Sequence, residues 1–171
     1  MKDLKHFIFI YFIIVVIMSL QAQEIEPAGI KIIKEYYATY AKLQPDLLRK
    51  FFADDIEWHI PGHHPLSGTK KGPEEVLAFF KQLSKAKFKA ELIYLSGNEE
   101  YVVDIHRGWS NTGKDDIDMP WVLLFRIKNG KIQEARNWAW DQHAADAFFW
   151  KVYHLKPIPE RLSNSLSENP K

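Results

Sequence analysis

The sequence predicts an α+β fold in which helices from the N-terminal half cover one face of a strongly curved antiparallel sheet. Apolar residues recur at helical spacing before the first strand-like segment, whereas the second half mostly alternates in the manner of strands. An Asn-Gly pair, a strong hairpin signal, separates two of these strand-like runs. The 171 residues are enough for one domain with its own core and too few for two comfortable ones.

The N-terminal half contains two predicted helices and one strand. Residues 28–43 form the first helix, because apolar or aromatic side chains recur at helical spacing, at Ile30, Ile33, Tyr37 and Tyr40. Pro45 can open a short second helix over 45–52. Residues 54–60 alternate as a strand does, and Pro61-Gly62 ends that strand.

A third helix and four strands complete the predicted domain. The third helix begins at Pro73, with Glu74 and Glu75 beside its positive end. The strands are expected at 88–96, 100–109, 117–128 and 131–140. Residues 141–153 return to a helical pattern, and Asp141 is a natural N-cap for that helix.

The hairpin at Asn129-Gly130 predicts which side chains share a sheet face. A two-residue turn places Lys128 opposite Lys131 and therefore Trp121 opposite Trp138, and opposed residues lie on one face. One face then carries Trp121, Leu123, Phe125 and Trp138, and the other carries Val122, Leu124, Ala135, Asn137, Ala139 and Asp141. The second face has small residues near its open end, so we expect it to line a pocket.

Two pairs of titratable residues are candidates for a base that works near neutral pH. Asp104 and His106 are two apart on one strand and share a face, so the carboxylate can fix the tautomer of the imidazole. In the same register Asp118 faces Asp141, and two close carboxylates would raise one pKa. The structural alternatives are that Asp141 only caps a helix, Asp104 is an edge residue and His106 is a satisfied core histidine.

Three histidines, His59, His63 and His64, lie within the distinctive segment WHIPGHHPLSGTKKG, residues 58–72. Adjacent histidines in an extended segment point apart, and no helical metal-binding spacing occurs, so we predict no metal site. We expect a loop at the mouth of a pocket, with at most one of Trp58 and His59 turned inward. No cofactor is predicted.

The ends of the chain differ from the middle. Lys2 and Lys5 precede an uncharged apolar run over 7–20, which predicts a signal peptide over 1–22 and a periplasmic or secreted protein; a membrane anchor is the alternative. The domain is expected over 24–155, followed by a disordered tail over 156–171. The chain has no cysteine, and its 23 basic and 22 acidic residues give no reason to expect nucleic acid or, after cleavage, a membrane surface as a partner.

Several segments together resemble the SnoaL-like branch of the NTF2-like (cystatin-like α+β cone) superfamily. They are IIKEYYATYAKLQPDLLRKFFADD, DDIEWHIPGHHPLSGTKKGPEEVLAFF, DIHRGWSNTGKDDID and RIKNGKIQEARNWAWDQHAADAFF, which span about residues 28–150. The resemblance implies a conical pocket and a homodimer built on the sheet. It also implies an acid/base pair at Asp141 and His106, as in polyketide cyclases. A hydroxyl donor on the first helix could be Tyr36, Tyr37 or Tyr40. No carboxylate stands at Trp58 or His59, where an isomerase base is expected, which argues against a simple ketosteroid isomerase.

Two functions follow as expectations. The first is an exported module that binds a small, mostly apolar ligand without a defined reaction. The second is a cofactor-independent acid/base enzyme, of cyclase, isomerase or hydrolase type, that acts on a small carbonyl compound. In addition to the catalytic candidates Asp141 and His106, the predicted ligand-binding residues are Trp58, His59, His63, Tyr40, Asp104, Trp121, Asn137 and Trp138.

Overall fold

The computed structural model describes residues 26–42, 44–111 and 116–153. The predicted signal peptide over 1–22 and the predicted tail over 156–171 lie outside the described residues. Within the described ranges, none of the helices is long and apolar enough to cross a membrane.

The described residues form three α-helices, one 3-10 helix and six strands. The helices are α1 Ala28–Tyr40, the 3-10 helix Pro45–Phe51, α2 Gly72–Lys85 and α3 Gln142–Val152. The strands are β1 Phe52–Ile60, β2 Gly68–Lys71, β3 Lys89–Gly97, β4 Tyr101–Ser110, β5 Ile117–Lys128 and β6 Lys131–Ala139. The predicted helices and strands are therefore present, and β2 is an additional strand within the segment that was expected to be a loop.

The six strands form one sheet in the order β2-β1-β6-β5-β4-β3. All neighbouring pairs are antiparallel except β1 and β6, which run parallel. The expected α+β class is confirmed, and the sheet is mixed rather than purely antiparallel. The parallel pair joins the first strand to the last, and the long connection that such a pair requires contains α2.

The β5-β6 hairpin has the predicted turn but not the predicted register. Asn129 and Gly130 both have positive φ, 52° and 71°, as a type I′ turn requires. Beyond the turn, Ile127 pairs with Ile132 but Arg126 pairs with Glu134, so Gln133 is an extra residue on β6. This bulge shifts every later pair by one position.

The bulge corrects the predicted faces of β5 and β6. Trp121 lies opposite Ala139 rather than Trp138, and Trp138 lies opposite Val122. The inner face, on which the helices pack, therefore carries the following residues of the two strands: Trp121, Leu123, Phe125, Ala135, Asn137 and Ala139. The prediction for the pocket side was right for the β6 residues Ala135, Asn137 and Ala139 and wrong for the β5 residues Val122 and Leu124.

The core lies between the inner sheet face and the helices and is dominated by aromatic rings. Tyr36 of α1 packs against Trp58 of β1, Phe80 of α2 and Phe125 of β5, with ring centroids 5.9–6.3 Å apart. Such edge-to-face and tilted contacts stabilise the core beyond the burial of apolar area. They also fix the orientation of the helices over the sheet, which defines the space described next.

Candidate functional site

A cavity of about 630 Å³, counting its open mouth, lies between the inner sheet face and the helices. The lining residues that matter for chemistry are the polar ones among a mostly aromatic and aliphatic surface: Tyr36, Tyr37, Tyr40, His64, His106, Asn137 and Gln142, with indoles from Trp58 and Trp121. The cavity is thus an apolar space with few polar groups.

Two side chains of the cavity wall, Tyr37 and His106, are hydrogen-bonded to a third residue, Asp104. Asp104 Oδ1 lies 2.8 Å from His106 Nδ1, and Asp104 Oδ2 accepts a hydrogen bond of 2.5 Å from the Tyr37 hydroxyl. The Tyr37 hydroxyl also lies 3.2 Å from His106 Nδ1. Asp104 is fully buried and His106 is 6% exposed, so the contacts lie in a site of low dielectric.

Strand geometry explains why Asp104 and His106 contact each other, and the position of α1 determines which of its tyrosines contacts them. Alternate residues of β4 face inward, so both side chains share a face, as the sequence predicts, and the structure shows that it is the inner one. Of the three tyrosines on α1, only Tyr37 bonds to this pair. Burial, followed by the nearby Asp104 carboxylate, raises the pKa of Tyr37 well above its usual value, so its hydroxyl remains a donor.

The arrangement determines which nitrogen of His106 can act on a ligand. A carboxylate accepts hydrogen bonds, so Nδ1 carries the proton and the neutral ring has its lone pair on Nε2. His106 lines the cavity whereas Asp104 does not. The Nδ1 side of the ring is turned to Asp104, and the Nε2 side is therefore the one left to face the cavity.

A second polar pair lies between β1 and β6, on the other side of β5 from His106. The indole Nε1 of Trp58 donates a hydrogen bond of 2.8 Å to Oδ1 of Asn137. Trp58 is 1% exposed, and both residues line the cavity. The sequence predicts these two residues as ligand-binding but gives no sign that they contact each other, because they are 79 positions apart.

His64 is a further residue of the cavity wall. Its ring packs at a tilt against Phe149 of α3 with centroids 4.6 Å apart, and its Nδ1 accepts a hydrogen bond of 3.1 Å from the backbone nitrogen of Leu66. Burial lowers its pKa below the usual value, and the carboxylate of Asp146 opposes this shift. Sequence reasoning placed His64 in the loop but did not select it over its neighbour His63, since only the fold distinguishes the buried ring from the exposed one.

Tyr40 and Trp121, both predicted as ligand-binding, lie in the cavity wall, Trp121 although the predicted register had placed it on the other sheet face. Burial raises the pKa of Tyr40 to about 12, so this hydroxyl is protonated at neutral pH. Trp121 packs edge-to-face on Phe88 with ring centroids 5.7 Å apart. Its indole edge rests over Gly108, where an added Cβ would lie 2.5 Å from Nε1.

Four predicted ligand-binding side chains are not part of the cavity wall: Asp104, which contacts it only through Tyr37 and His106, and three that lie elsewhere. His59 lies on the outer sheet face, where its Nδ1 is 2.9 Å from Thr69 Oγ1 and its Nε2 is 3.2 Å from Glu134. The imidazole of His63 is 98% exposed. Trp138 is 48% exposed, because the bulge turns it to the outer face.

The predicted catalytic Asp141 lies outside the cavity wall as well. It is exposed and caps α3, with Oδ1 accepting a hydrogen bond of 2.9 Å from the backbone nitrogen of Ala144. Its expected partner Asp118 is instead paired with Arg107, whose Nε lies 2.7 Å from Oδ1. That contact lowers the pKa of Asp118, in contrast to the raised value that a carboxylate pair would produce. The observed contact of Asp141 is that of a helix cap, which was the alternative to a catalytic role.

The described part of the chain contains no group of three or more histidine, cysteine or acidic side chains placed to hold a metal ion. The polar groups of the cavity are imidazoles, hydroxyls, amides and indoles, which are suited to hydrogen bonding and proton transfer.

A curved, helix-covered sheet with an aromatic cavity on its inner face is the architecture of the cystatin-like, or NTF2-like, class of α+β proteins. The model of the SnoaL-like domain family matches residues 33–135, and the chain belongs to this family. The resemblance identified from the sequence is thereby confirmed.

Individual relatives agree with this assignment. An uncharacterized protein of Mycobacterium bovis is 22% identical over 128 residues, which cover 72% of this chain and 98% of that protein. A protein of unknown function with a cystatin-like fold from Xanthomonas campestris is 26% identical, with a TM-score of 0.65 over 71% of this chain and 97% of that one. A putative SnoaL-like polyketide cyclase from Jannaschia is 17% identical, with a TM-score of 0.61 over 75% and 96% of the two chains, and this likeness shows the fold alone.

Proposed function

We propose that this protein binds a small, mostly apolar molecule in the cavity between the inner sheet face and the helices. The observation that carries the proposal is the lining itself: aromatic rings from α1, α2, β1, β5 and α3 form most of the cavity wall. An apolar ligand placed there would exchange water for ring contacts, which is the main source of affinity in such sites.

The cavity can be filled by substitution to test this proposal. Ala90 of β3 lines the cavity, whereas Ala78 of α2 is exposed. N-phenyl-1-naphthylamine, an uncharged fluorophore that brightens in apolar surroundings, is expected to bind saturably to the wild type. Ala90→Phe should weaken this binding at least about tenfold because the added ring occupies the site, and Ala78→Phe, the matched control, should not. Equal binding by the two variants would contradict the proposal.

A second candidate function is cofactor-independent acid/base chemistry, and the hydrogen-bonded set of Tyr37, Asp104 and His106 favours it. A carboxylate that holds an imidazole in one tautomer is the arrangement that makes Nε2 a general base. In this reaction Nε2 takes a proton from the carbon next to a carbonyl and an enolate forms. The same proton, or a deuteron exchanged onto the imidazolium, then returns to carbon.

Proton exchange on a simple ketone tests the second candidate. In D₂O, the wild type is expected to accelerate deuterium incorporation into the methyl group of 2-acetylnaphthalene, followed by proton NMR. His106→Gln should reduce the accelerated rate by about 100-fold or more, in the range of general-base contributions. His143→Gln, at an exposed histidine of α3, is the matched control. A wild-type rate equal to that of buffer would leave ligand binding as the only proposed function.

We further propose that the protein forms a homodimer through the outer sheet face. Four strands place one aligned row of apolar side chains there, which we call the outer row: Tyr94, Ile105, Val122 and Trp138. Tyr94 and Trp138 are 54% and 48% exposed. Ion pairs flank the row, including Arg107 with Asp118 and Arg136 with Glu134, so charges of both signs lie beside it and can pair across a two-fold contact.

The dimer and the export of the protein have separate tests. Light scattering during size exclusion is expected to give the mass of two chains for the wild type and for Thr69→Lys, and of one chain for Val122→Lys. A single-chain mass for the wild type would contradict the dimer.

Export is tested by the intact mass of the protein released from the periplasm, which is expected to lack residues 1–22. The mass of the full-length chain would contradict cleavage.

A further inference from the structure

We infer that the ligand carries a hydrogen-bond acceptor oxygen, of the carbonyl type, and that the side-chain amide nitrogen of Asn137 donates to it. This inference rests on the proposed binding function and names the chemical class of the ligand. Asn137 would then be the specificity-determining residue, and Trp58 a positioning residue that sets the orientation of its amide.

The contact with Trp58 determines which end of the Asn137 amide is available. An indole N–H can only donate, so the atom of Asn137 that lies 2.8 Å from Trp58 Nε1 must be the oxygen. The NH₂ group is therefore directed away from Trp58. A reversed amide would place two donors against each other, at a site where Trp58 is 1% exposed.

The packing around Trp58 keeps this orientation fixed. The indole contacts the rings of Phe52, Phe80 and Phe125, with centroid distances of 5.2–6.0 Å. These neighbours belong to a strand, a helix and another strand, so the ring cannot move without disturbing all three. The amide of Asn137 is thus preorganised before a ligand enters, which lowers the cost of forming one more hydrogen bond.

The amide nitrogen of Asn137 has no hydrogen-bond partner among the described residues, and it is not one of the unpaired atoms that are shut off from solvent. Asn137 is half-buried and lines the cavity. The nitrogen is therefore reachable from the cavity, where a water or a ligand oxygen can accept its proton. An apolar ligand with no acceptor would displace the water and leave the donor unpaired, which costs affinity.

The indole of Trp121 supplies a contrasting case on the same inner face. Its Nε1 is also unpaired among the described residues, but that atom is inaccessible to solvent. It lies against Gly108, in the same place where the ring of Phe88 approaches, so a ligand cannot reach it without moving that ring. Asn137 is consequently the better donor, even though both side chains line the cavity.

A pair of probes of the same shape tests the inference. 2-Acetylnaphthalene carries a carbonyl oxygen, and 2-isopropenylnaphthalene has a CH₂ group in its place. Isothermal titration of the wild type is expected to show that the ketone binds about fivefold more tightly or better, the ratio that one net hydrogen bond provides. The carbonyl stretching band of the ketone, labelled with ¹³C at the carbonyl carbon, should lie at lower frequency in the bound state than in dry hydrocarbon.

Two variants assign the donor. Asn137→Asp keeps an oxygen for the Trp58 indole but replaces the NH₂ group with a second oxygen, so the preference for the ketone and the infrared shift should both disappear. Asn98→Asp makes the same chemical change at an exposed turn, where the side-chain oxygen accepts from the backbone of Glu100 and Tyr101. This control should keep the preference of the wild type.

The outcomes separate this inference from the proposed function. If N-phenyl-1-naphthylamine binds in the cavity but the two naphthalene probes bind equally or not at all, the acceptor requirement is wrong and cavity binding stands. A preference that survives in Asn137→Asp also overturns the inference, since another donor must then produce it. If no fluorophore or probe binds, the proposed function fails and the inference fails with it. The infrared shift is measured on the wild type, so it is decisive even if Asn137→Asp does not fold.

Discussion

The imidazole of His106 is fixed by Asp104, whose Oδ1 lies 2.8 Å from Nδ1. The carboxylate is fully buried and has a second donor in the Tyr37 hydroxyl. A buried carboxylate with two donors is stabilised as an acceptor, and it imposes a single tautomer on the histidine ring. The position of the imidazole proton therefore shows whether Nε2 of His106 is free to act as the proposed base.

Asp104→Asn is expected to reverse the tautomer of His106. The wild type should carry its proton on Nδ1, whereas the amide of the variant donates to Nδ1 and moves the ring proton to Nε2. Nitrogen-15 NMR of the histidine rings distinguishes the two forms. Exposed His143 provides an internal reference that should not change. A wild-type His106 already protonated on Nε2 when neutral would contradict the assignment.

Tyr37→Phe is expected to lower the free energy of unfolding by about 1–3 kcal/mol. The variant removes the donor to Asp104 Oδ2 and leaves a buried carboxylate oxygen without that partner. Urea denaturation measures the change. Tyr101→Phe, at a tyrosine that is 43% exposed, should change stability by less than about 0.5 kcal/mol. Equal effects of the two substitutions would show that the buried hydroxyl contributes nothing specific.

Burial of His64 predicts a loss of stability on acidification. Its pKa in the folded protein is lowered from the usual 6.5, so the unfolded chain takes up the proton first. Stability from this residue is complete above pH 6.5 and declines as the pH falls from there toward the lowered pKa. Protonation also requires Nδ1 to give up its bond from the Leu66 backbone nitrogen.

Denaturation at pH 7 and pH 5 measures the contribution of His64. The free energy of unfolding should fall less between these values in His64→Phe than in the wild type, because the phenyl ring can stack on Phe149 and does not titrate. His63→Gln removes a histidine whose imidazole is 98% exposed and should keep the wild-type difference. If His64→Phe loses as much stability as the wild type, the buried imidazole is not the titrating group.

Asp141 is expected to contribute to stability rather than to ligand binding. Asp141→Ala removes the acceptor for the Ala144 backbone nitrogen and should cost about 1 kcal/mol, whereas Asp141→Asn retains a good N-cap and should cost less. Neither substitution should change the affinity for N-phenyl-1-naphthylamine. Loss of binding in Asp141→Asn, without loss of stability, would instead return Asp141 to the site.

The features that the sequence predicted are those determined by residues close together in the chain. The turn at Asn129-Gly130 follows from the left-handed preference of those two residues, and the meeting of Asp104 with His106 follows from strand alternation. The cap at Asp141 is likewise local. Each of these depends on a spacing of four residues or fewer.

The features that the sequence did not predict depend on distant partners. The bulge at Gln133 changes the face of Trp138, and β1 pairs with β6 as well as with β2. The choice of Tyr37 among three tyrosines depends on how α1 lies over β4, and the contact of Trp58 with Asn137 joins the first and last strands. Periodicity carries no information about such pairings, because the same pattern suits either register.

Two adjacent leucines of β5 offer the most direct test of the central claim, that the ligand occupies the inner cavity. Leu123 lines the cavity, whereas Leu124 faces outward between Val103 and Arg136 on neighbouring strands. With 2-acetylnaphthalene bound, intermolecular nuclear Overhauser effects are expected from the naphthalene protons to the methyl groups of Leu123 and not to those of Leu124. Contacts to Leu124 alone, or to neither leucine at saturating probe, would contradict the account.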